Sequence, residues 1–544
     1  MQENQSLWRS RRSTATVRAK SEVKRLILTY FEVVVDFLMH ISGLTSKNLY
    51  PMLRLFTQAH QNPSKTAIID SYGTYSYQDL SFKSDQVAFH LLSGKTDLLQ
   101  TRVAFMVSPG IDYAAIQWGI WKAGGIAVPL CITYPLPSLS YVIEDTQAEF
   151  VIAGPEYEAI LRDYAIGKNL RWLTLAELKQ PISEKLLPDF STDRGAMILY
   201  TSGTTSLPKG VLTTHANIES QVSTLIDAWE WSAEDYTLCL LPLHHVHGII
   251  NVLSCALWAG ATVHFLHPFD ARQVFEIFLQ GKVNVFMAVP TIYFKLISEF
   301  ESRSELEKVQ LHESMKRFRL MVSGSAALPV SVMESWQKIS GHYLLERYGM
   351  TEIGMAISNP YDGQRRAGYI GKPLPGVSAR LVDEQNQEVA AGQPGEIQIK
   401  GASVFKEYWG KPEATAKTFT EDGWFKTGDI AVIEDSYFRI LGRDSVDIIK
   451  SGGYKISALE IEEILRKHPM IKDCAVVGMP EEEWGELVVA GIIPFGEIDT
   501  KALNHWMREQ MPAYKTPRKY LILEELPRNA MGKVVKNDLK KLFA

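Results

Sequence analysis

The chain has 544 residues, 46% of them hydrophobic and 22% charged, and 57 basic against 62 acidic residues give a formal net charge of −5. This length exceeds one small core and predicts a large domain joined to a smaller one. The balanced charge and the lack of a basic array interleaved with aromatic residues argue against a nucleic-acid-binding protein. The four cysteines lie far apart without metal-ligand spacing, which predicts reduced, mostly buried thiols rather than a zinc site or a disulfide framework.

The first 50 residues differ in composition from the rest of the chain. Residues 8–25 are rich in Arg, Lys, Ser and Thr, and residues 26–44 are apolar but interrupted by Glu32, Asp36 and His40. Those polar side chains argue against a membrane-spanning helix. The segment is compatible with a mitochondrial transit peptide, with a basic amphipathic helix, or with an extension that has no targeting role. We expect a cytoplasmic protein, or a protein of the mitochondrial matrix if the segment is a transit peptide.

Short strands alternate with helices from Pro51 onward. The hydrophobic pattern predicts helices over residues 77–92, 114–123 and 136–145, and it predicts strands over residues 66–70, 73–77, 102–106, 126–130 and 150–153. Glycine stops end the helix at Gly124-Gly125 and precede a strand after Gly260. This alternation predicts an α/β domain, covering residues 51–442, with mostly parallel strands covered on both faces.

A second pattern begins near Arg443. Residues 444–450 lead into a loop containing Gly452 and Gly453, which can adopt unusual backbone torsions. Beyond the loop the pattern predicts helices over residues 458–467 and 500–510 and strands over residues 474–479, 487–494 and 520–523. This is enough chain for a small α+β domain of its own, with its boundary at residues 443–445.

The stretch Met197–Thr214 predicts a strand, a loop and a second strand. An apolar run ending at Tyr200 precedes small hydroxyl residues around Gly203, and Lys209 follows. Glycine lets the backbone approach a ligand closely, hydroxyl and amide groups donate to phosphate oxygens, and the lysine adds positive charge. The pattern is not the P-loop of nucleoside triphosphatases, which needs Gly before the Lys and Ser or Thr after it. It predicts a phosphate-binding loop, and a polar surface turn is the alternative.

Two segments carry a resemblance to a known family. Residues 200–210, Y-T-S-G-T-T-S-L-P-K-G, resemble the signature loop of the adenylate-forming superfamily, and residues 348–352, Y-G-M-T-E, resemble its second signature. The resemblance implies a large N-terminal domain and a small mobile C-terminal domain. It also implies an enzyme that uses ATP, Mg²⁺ and coenzyme A to convert a carboxylic acid into an acyl-adenylate and then a thioester. A carboxylate needs this activation because oxide is a poor leaving group, so the protein must stabilise charge at the α-phosphate.

The resemblance also assigns the nucleotide-binding residues. It implies that Tyr348 stacks on adenine, Thr351 hydrogen-bonds the α-phosphate and Glu352 holds Mg²⁺. These three roles suit a flat aromatic ring, a hydroxyl donor and a hard oxygen ligand, respectively. Small residues after a buried strand give adenine room against the backbone, although close packing of strand on helix is the alternative reading. The implied nucleotide contacts are Thr201, Ser202, Gly203, Thr204, Thr205, Ser323, Gly324, Ser325, Ala326, Tyr348 and Gly349.

The C-terminal matches complete the family's pattern. Asp429 in W-F-K-T-G-D and Arg443 in L-G-R match its two ribose-binding positions, and the residues after Arg443 match its pivot. Lys533, at the end of P-R-N-A-M-G-K, matches the lysine that bridges the attacking carboxylate and the α-phosphate. The resemblance implies that Lys533 acts in adenylation and that Gly452 and Gly453 line the pantetheine channel during thioester formation. With Lys209, Thr351 and Glu352, Lys533 forms the implied catalytic set.

The acid pocket is predicted to be polar. The segments H-H-V-H-G and R-A-G-Y-I-G-K-P-L-P-G-V resemble the malonyl-CoA synthetases, whose arginine in the second segment binds the distal carboxylate. Arg366 best matches that arginine. Lys295 occupies a position where bacterial members often have Arg. Lysine keeps the positive charge there but cannot form the two parallel hydrogen bonds that a guanidinium makes to a carboxylate. His245 is predicted to form a pocket wall. The alternative interpretation is that the charged groups of Arg365, Arg366 and Lys295 are simply solvated.

The sequence therefore predicts an AMP-forming ligase of coenzyme A and a small acid, with malonate or methylmalonate favoured. A medium-chain fatty or aryl acid ligase on the same scaffold is one alternative. An adenylation enzyme that loads a carrier protein is a second, and a nucleotide-binding protein without catalysis is a third. The intact set of predicted catalytic residues argues against the third.

Overall fold

The computed structural model describes residues 54–201, 207–451, 454–481, 484–529 and 532–543. Within these residues the strands are named β1 to β25 in chain order. They are Thr66–Asp70, Gly73–Ser76, Arg102–Met106, Ile126–Pro129, Phe150–Ala153, Arg171–Thr174, Gly195–Thr201, Lys209–Thr214, Tyr236–Cys239, Thr262–Phe265, Val285–Ala288, Leu320–Ser323, Leu345–Met350, Gly354–Ser358, Lys372–Pro373, Val377–Val382, Gly395–Gly401, Glu407–Tyr408, Phe425–Glu434, Tyr437–Arg443, Ile448–Ser451, Tyr454–Ser457, Ile471–Glu481, Gly485–Pro494 and Lys519–Ile522.

The α-helices of the described residues lie between these strands. They are Thr57–Gln61, Tyr77–Leu92, Ile111–Lys122, Leu136–Asp145, Glu158–Gly167, Leu175–Leu178, His215–Ala228, Cys255–Ala259, Ala271–Leu279, Pro290–Glu301, Glu305–Met315, Val330–Ser340, Pro412–Thr418, Ala458–Leu465, Thr500–Gln510 and Lys536–Phe543. Short 3₁₀ helices cover Arg54–Phe56, Pro155–Tyr157 and Ala513–Lys515. A π-helix over His247–Ser254 runs directly into the helix Cys255–Ala259, and all eight of its residues are buried.

Two large sheets contain strands β1 to β15 and β18. A nine-stranded sheet has the order β15-β14-β13-β12-β11-β9-β10-β1-β2, and a seven-stranded sheet has the order β18-β8-β7-β4-β3-β5-β6. The central strands pair in parallel, whereas β1–β2, β13–β14, β14–β15, β7–β8 and β8–β18 pair antiparallel. The predicted α/β fold with a parallel core is therefore confirmed, with antiparallel strands added at the sheet edges.

Local signals explain why predicted and observed bounds agree in several elements. The helix Tyr77–Leu92 begins where Ser76 accepts a hydrogen bond from the amide of Asp79, whose side chain accepts one from the amide of Ser76. This capping box satisfies two otherwise unpaired amides at the helix start. The helix Cys255–Ala259 ends at Gly260, which has a φ of 80°, a conformation that glycine adopts without strain.

A four-stranded antiparallel sheet, β16-β17-β19-β20, follows the two large sheets, and a separate five-stranded sheet contains β21 to β25. All strands of this last sheet come after Arg443, and the helices Ala458–Leu465, Thr500–Gln510 and Lys536–Phe543 follow in the same segment. The predicted large domain with a smaller α+β domain is thus present. The sequence did not predict strands β21 and β22, which lie on the two sides of the predicted Gly452-Gly453 loop and pair with Ser451 opposite Tyr454.

The cysteine prediction holds, since Cys131, Cys239, Cys255 and Cys474 are all buried and unbridged. In the described part of the chain, no helix combines the length and apolar character that crossing a bilayer requires.

Candidate active site

The predicted phosphate-binding loop closes a β-hairpin. Strands β7 and β8 pair antiparallel, with Thr201 opposite Lys209 at the end of the ladder. The residues between them that the sequence assigned to phosphate binding, Ser202, Gly203, Thr204 and Thr205, lie outside the described residues. The flanking pair nevertheless fixes where this loop leaves and re-enters the seven-stranded sheet.

Lys209 and Glu352 both contact the side chain of Tyr408. The Lys209 ammonium lies 4.9 Å from the centroid of the Tyr408 ring, and the Tyr408 hydroxyl donates to Glu352 Oε1 at 2.8 Å. Burial raises the pKa of Glu352 above its ordinary value, and the Tyr408 hydroxyl, the Arg443 charge and the Lys209 charge oppose that shift. Sequence reasoning missed Tyr408, because an aromatic residue in a two-residue strand looks like an ordinary core residue.

Asp429 connects the predicted adenine and ribose contacts. Its carboxylate accepts from the Tyr348 hydroxyl at 2.6 Å and from Arg443 Nε at 2.8 Å. The antiparallel pairing of β19 with β20 places Asp429 directly opposite Arg443. The contacts form two clusters, one around Tyr408 with Lys209 and Glu352, and one around Asp429 with Tyr348 and Arg443. Glu352 lies in the turn between β13 and β14. The two clusters together contain five of the sequence-predicted residues.

The predicted adenine strip lies at the end of β12. Ser323 is fully buried, and Ser325 adopts a φ of 70°, a region that few non-glycine residues occupy. Gly324 packs so closely on Arg347 that an added Cβ would lie 2.4 Å from the guanidinium carbon. Only glycine fits here without displacing that side chain.

The histidines of the H-H-V-H-G segment are neutral at pH 7, with His247 buried and His244 and His245 half-buried. The rings of His244 and His245 pack at an interplanar angle of 49° with centroids 4.2 Å apart, and His247 Nδ1 lies 3.1 Å from Ser325 Oγ. Burial lowers the pKa of His244 to about 3 and that of His245 to about 4. Burial, with a smaller contribution from the Arg347 charge, holds the pKa of His247 well below its ordinary value. These rings therefore supply hydrogen-bonding groups rather than positive charge.

The two basic residues predicted for the acid pocket have other neighbours. Arg366 Nη1 lies 3.2 Å from Asp435 Oδ2, and its guanidinium stacks 4.4 Å from the centroid of the Tyr437 ring. Lys295 is exposed, with its ammonium 5.6 Å from the centroid of the Phe269 ring. No described contact joins Arg366 to Lys295, so their predicted role in binding the acid gains no support from these neighbours.

The segment that ends in Lys533 lies against the large domain. An added Cβ at Gly532 would lie 2.7 Å from Thr291 Oγ1, in the first turn of the helix Pro290–Glu301. Lys533 is exposed, and its amide donates to Asn529 Oδ1 at 3.0 Å. Three residues later, Lys536 is buried and pairs with Asp447 at 2.7 Å and with Glu462 at 2.8 Å. Gly452 and Gly453, predicted to line the pantetheine channel, lie outside the described residues.

The donor set suits a metal ion that is shared with a nucleotide. Mg²⁺ is usually held by one or two carboxylates together with phosphate oxygens. Glu352 supplies one such carboxylate beside the cationic Lys209, and Tyr408 engages one of its two oxygens. Across the described ranges, no group of three or more His, Cys, Asp or Glu residues could hold a metal alone. The residues thus fit an ion that arrives with ATP.

The fold and the site define an enzyme that activates an acid with ATP, and comparison with known proteins assigns the family. A model of the AMP-binding enzymes matches residues 55–409, and a model of the AMP-binding enzyme C-terminal domain matches residues 460–533. The chain belongs to the AMP-binding enzyme family. Within that family it is an acid–CoA ligase that forms AMP.

Several relatives and solved structures are similar over most of the chain. The malonate–CoA ligase ACSF3, mitochondrial, of Bos taurus is 43% identical over 89% of this chain and 89% of its own. The Homo sapiens protein of the same name is 42% identical over 90% of this chain and 92% of its own. The crystal structure of ATP-bound MatB from Rhodopseudomonas palustris superposes with a TM-score of 0.84 at 33% identity, covering 90% of this chain and 99% of that one.

Proposed function

We propose that this enzyme joins malonate to coenzyme A while ATP is converted to AMP and pyrophosphate. The observation that supports the acid is the similarity to four proteins named malonate–CoA ligase, which are 42% to 44% identical over 89% to 92% of this chain. The unpaired buried atoms His247 Nε2, Asn251 Nδ2 and Asn251 Oδ1 agree with it, since a long apolar acyl chain could not serve as their hydrogen-bond partner.

The nucleotide binds, in this proposal, where the three sheets meet. Tyr348 presents its ring to adenine, while Asp429 accepts from the ribose hydroxyls and Arg443 keeps the carboxylate in place. The hairpin loop before Lys209 wraps the phosphates. Glu352 ligates the Mg²⁺ that ATP brings, and that ion supplies positive charge at the phosphates.

In the first half-reaction one carboxylate oxygen of malonate attacks the α-phosphorus, and the bond to the β-phosphate bridging oxygen breaks. Pyrophosphate leaves and malonyl-adenylate forms. Lys533 lies between the two reacting groups and offsets their negative charge, with Thr351 donating to the α-phosphate. The contact between Gly532 and Thr291 supports this role, because it brings the segment to the helix that follows β11.

In the second half-reaction the sulfur of coenzyme A attacks the carbonyl carbon of the adenylate. AMP leaves, the thiol proton is released, and the thioester forms. The small domain, from Arg443 onward, turns away about residues 443–445, so Lys533 withdraws and Gly452 and Gly453 line the pantetheine channel. Strands β21 and β22, which flank these glycines in the sequence, pair with Ser451 opposite Tyr454.

The first experiment measures AMP release by the purified protein with ATP, Mg²⁺ and coenzyme A. It compares malonate, methylmalonate, acetate, octanoate and benzoate. We expect the two diacids to react far faster than the three monoacids. Malonate and methylmalonate differ by one methyl group, worth only about 1–3 kcal/mol of discrimination, so both should react. Preference for octanoate or benzoate would instead favour the fatty or aryl acid ligase.

The carrier-loading alternative is tested in the same assay. An enzyme that loads a carrier protein would form the adenylate without using coenzyme A, so AMP release would not rise when coenzyme A is added. We expect a strong rise, because the site is proposed to complete both half-reactions.

For location we propose the mitochondrial matrix rather than the cytoplasm. The relatives from Bos taurus, Xenopus laevis, Mus musculus and Homo sapiens are all named mitochondrial. The arginine-rich composition of residues 8–25 agrees with a transit peptide. Fusion of residues 1–50 to a fluorescent protein should direct it to mitochondria, and a cytoplasmic signal would contradict this proposal.

A further inference from the structure

Both sides of the predicted phosphate-binding loop are tied to one helix, Leu136–Asp145. Before the loop, the Tyr200 hydroxyl donates to Asp145 Oδ2 at 2.6 Å. After the loop, the carbonyl oxygen of Pro208 accepts a hydrogen bond from the Tyr141 hydroxyl at 2.8 Å. Because Tyr141 and Asp145 are four residues apart, they lie on one face of the helix. That face therefore holds the chain where it enters the loop and where it leaves it.

Gly210 leaves room for the ring of Tyr200 beside this helix. The two residues lie opposite each other in the pairing of β7 with β8, and an added Cβ at Gly210 would lie 3.2 Å from two atoms of the Tyr200 ring. The ring also packs edge-on against Tyr141, with centroids 6.0 Å apart. Burial, and then the hydrogen bond to Asp145, raise the pKa of Tyr200 well above its ordinary value. Its hydroxyl therefore stays a proton donor at pH 7.

Asp145 also connects the start of the loop to the segment that carries Tyr408. Its second oxygen, Oδ1, lies 2.7 Å from the ammonium of Lys411, and the amide of Lys411 donates to the carbonyl oxygen of Tyr408 at 3.0 Å. Tyr408 is the residue whose side chain contacts both Lys209 and Glu352. One carboxylate thus links the strand before the loop to the residues proposed to hold the phosphates and Mg²⁺.

The position of Asp145 in its helix indicates that these contacts, rather than the helix, require an acid there. Asp145 is the last residue of the helix, where the unpaired carbonyl groups make a negative charge unfavourable. Its side chain is only 19% exposed, so water solvates the charge poorly. The Lys411 ammonium and the Tyr200 hydroxyl offset both effects.

We propose that Asp145 is a positioning residue for the phosphates of ATP, which acts through Tyr200 and Lys411. Tyr141 is its counterpart on the far side of the loop. This inference rests on the proposed function and extends it to a helix that contributes no predicted ligand contact. The anchored chain holds Lys209 in place before ATP arrives, so less ordering is needed when the phosphates bind.

The same helix provides matched controls. Glu144, the residue before Asp145, also accepts from a tyrosine hydroxyl and pairs with a lysine. These partners are Tyr164 at 3.1 Å and Lys168 at 2.8 Å, and neither belongs to the hairpin. Changes at Glu144 and Tyr164 therefore remove the same kinds of contact without affecting the chain on either side of the loop.

The test compares D145A, D145N, Y200F and Y141F with the wild type and with the controls E144A and Y164F. AMP release gives KM for ATP, KM for malonate and kcat, and adenosine serves as a competitive inhibitor that lacks phosphates. We expect KM for ATP to rise about 30-fold in D145A, about tenfold in Y200F and about fivefold in Y141F. The inhibition constant of adenosine and KM for malonate should not change. D145N, which keeps an acceptor for Tyr200, should lose less than D145A, and both controls should behave as the wild type.

Several results would overturn the inference. One is a KM for ATP that rises no more in D145A than in E144A. A second is an equal rise in KM for ATP and in the inhibition constant of adenosine, which would mean that Asp145 supports the whole nucleotide site rather than the phosphates. If D145A does not fold, a normal KM for ATP in both Y200F and Y141F contradicts the inference.

Failure of the proposed acid is a separate result. A wild-type enzyme that prefers octanoate to malonate would contradict the proposed function. The same variants, compared with octanoate as the acid, would still decide the role of Asp145, because the predicted change concerns ATP and not the acid.

Discussion

The two halves of the candidate site differ in how their polar groups are satisfied. On the nucleotide side, Asp429 is already bound by Tyr348 and Arg443, and Glu352 is already bound by Tyr408. Beside His247, Arg347 and Asn251 are buried with polar atoms that have no partner among the described residues. The protein's own contacts therefore hold the nucleotide side in place, whereas the second group keeps polar atoms unpaired. In the proposed function, recognition of ATP rests on groups that are already positioned before the substrate binds.

Replacing Asp429 with Ala should produce the largest effect on the nucleotide side. The change leaves Arg443 and the Tyr348 hydroxyl without their carboxylate, and breaking a buried charge pair typically destabilises by about 3–5 kcal/mol. We expect kcat/KM for ATP to fall about 1000-fold, by the same factor with malonate and with methylmalonate. Asp429→Asn, which keeps one acceptor, should lose less. A loss that depends on which acid is used would mean that Asp429 also takes part in recognition of the acid.

Lys533→Ala should separate the two half-reactions. Removing the charge at the α-phosphate is expected to lower ATP–pyrophosphate exchange by roughly 100-fold or more. Thioester formation from supplied malonyl-adenylate should change little, because the small domain has then turned away. Lys541→Ala, at a side chain that is 76% exposed, is the control. An unchanged exchange rate would remove Lys533 from the mechanism.

Gly324→Ala changes the contact between the predicted adenine strip and Arg347. The new methyl group would lie 2.4 Å from the Arg347 guanidinium carbon, so the guanidinium must move. Overpacking of this kind costs about 1–3 kcal/mol, and we expect the free energy of unfolding to fall by about that amount in a denaturant titration. KM for ATP should also rise, because Gly324 is predicted to lie against adenine. An unchanged free energy of unfolding would mean that the Arg347 side chain moves aside without cost.

Tyr408→Phe should have the smallest effect and a recognisable pH dependence. The hydroxyl of Tyr408 lowers the pKa of Glu352 against the larger effect of burial. Without it that pKa rises further, so the carboxylate becomes protonated at a higher pH and activity is lost sooner on acidification. We expect about a tenfold loss at low pH and a smaller one at alkaline pH. A pH profile parallel to that of the wild type would mean that Glu352 is not the titrating group.

Local sequence signals were sufficient for much of the scaffold. The helix Tyr77–Leu92 has its predicted bounds because a capping box and a regular apolar face lie within one short segment. The hairpin of β7 and β8 was predicted because an apolar run, small loop residues and a second β-prone run are adjacent in sequence. The family resemblance added residues that are far apart in the chain, and the structure brings Tyr348, Asp429 and Arg443 into direct contact.

The surroundings of Arg347 and Arg366 could not be derived in the same way. The segment E-R-Y-G-M-T-E gives no sign that the Arg347 guanidinium lies beneath Gly324, because that contact depends on the parallel pairing of β12 with β13. Arg366 was predicted from a family motif, and its role in binding the acid stays a prediction. Its ion pair with Asp435, on the turn between β19 and β20, depends on tertiary structure that the local pattern does not show. The π-helix His247–Ser254 was also not predicted, since its apolar pattern does not distinguish it from an α-helix.

The proposed function requires an enzyme that activates malonate with ATP before coenzyme A takes part. It is tested by ATP–pyrophosphate exchange by the wild-type enzyme without coenzyme A, with malonate or octanoate as the acid. We expect rapid exchange with malonate and very slow exchange with octanoate. Faster exchange with octanoate, or exchange that needs coenzyme A, would contradict it.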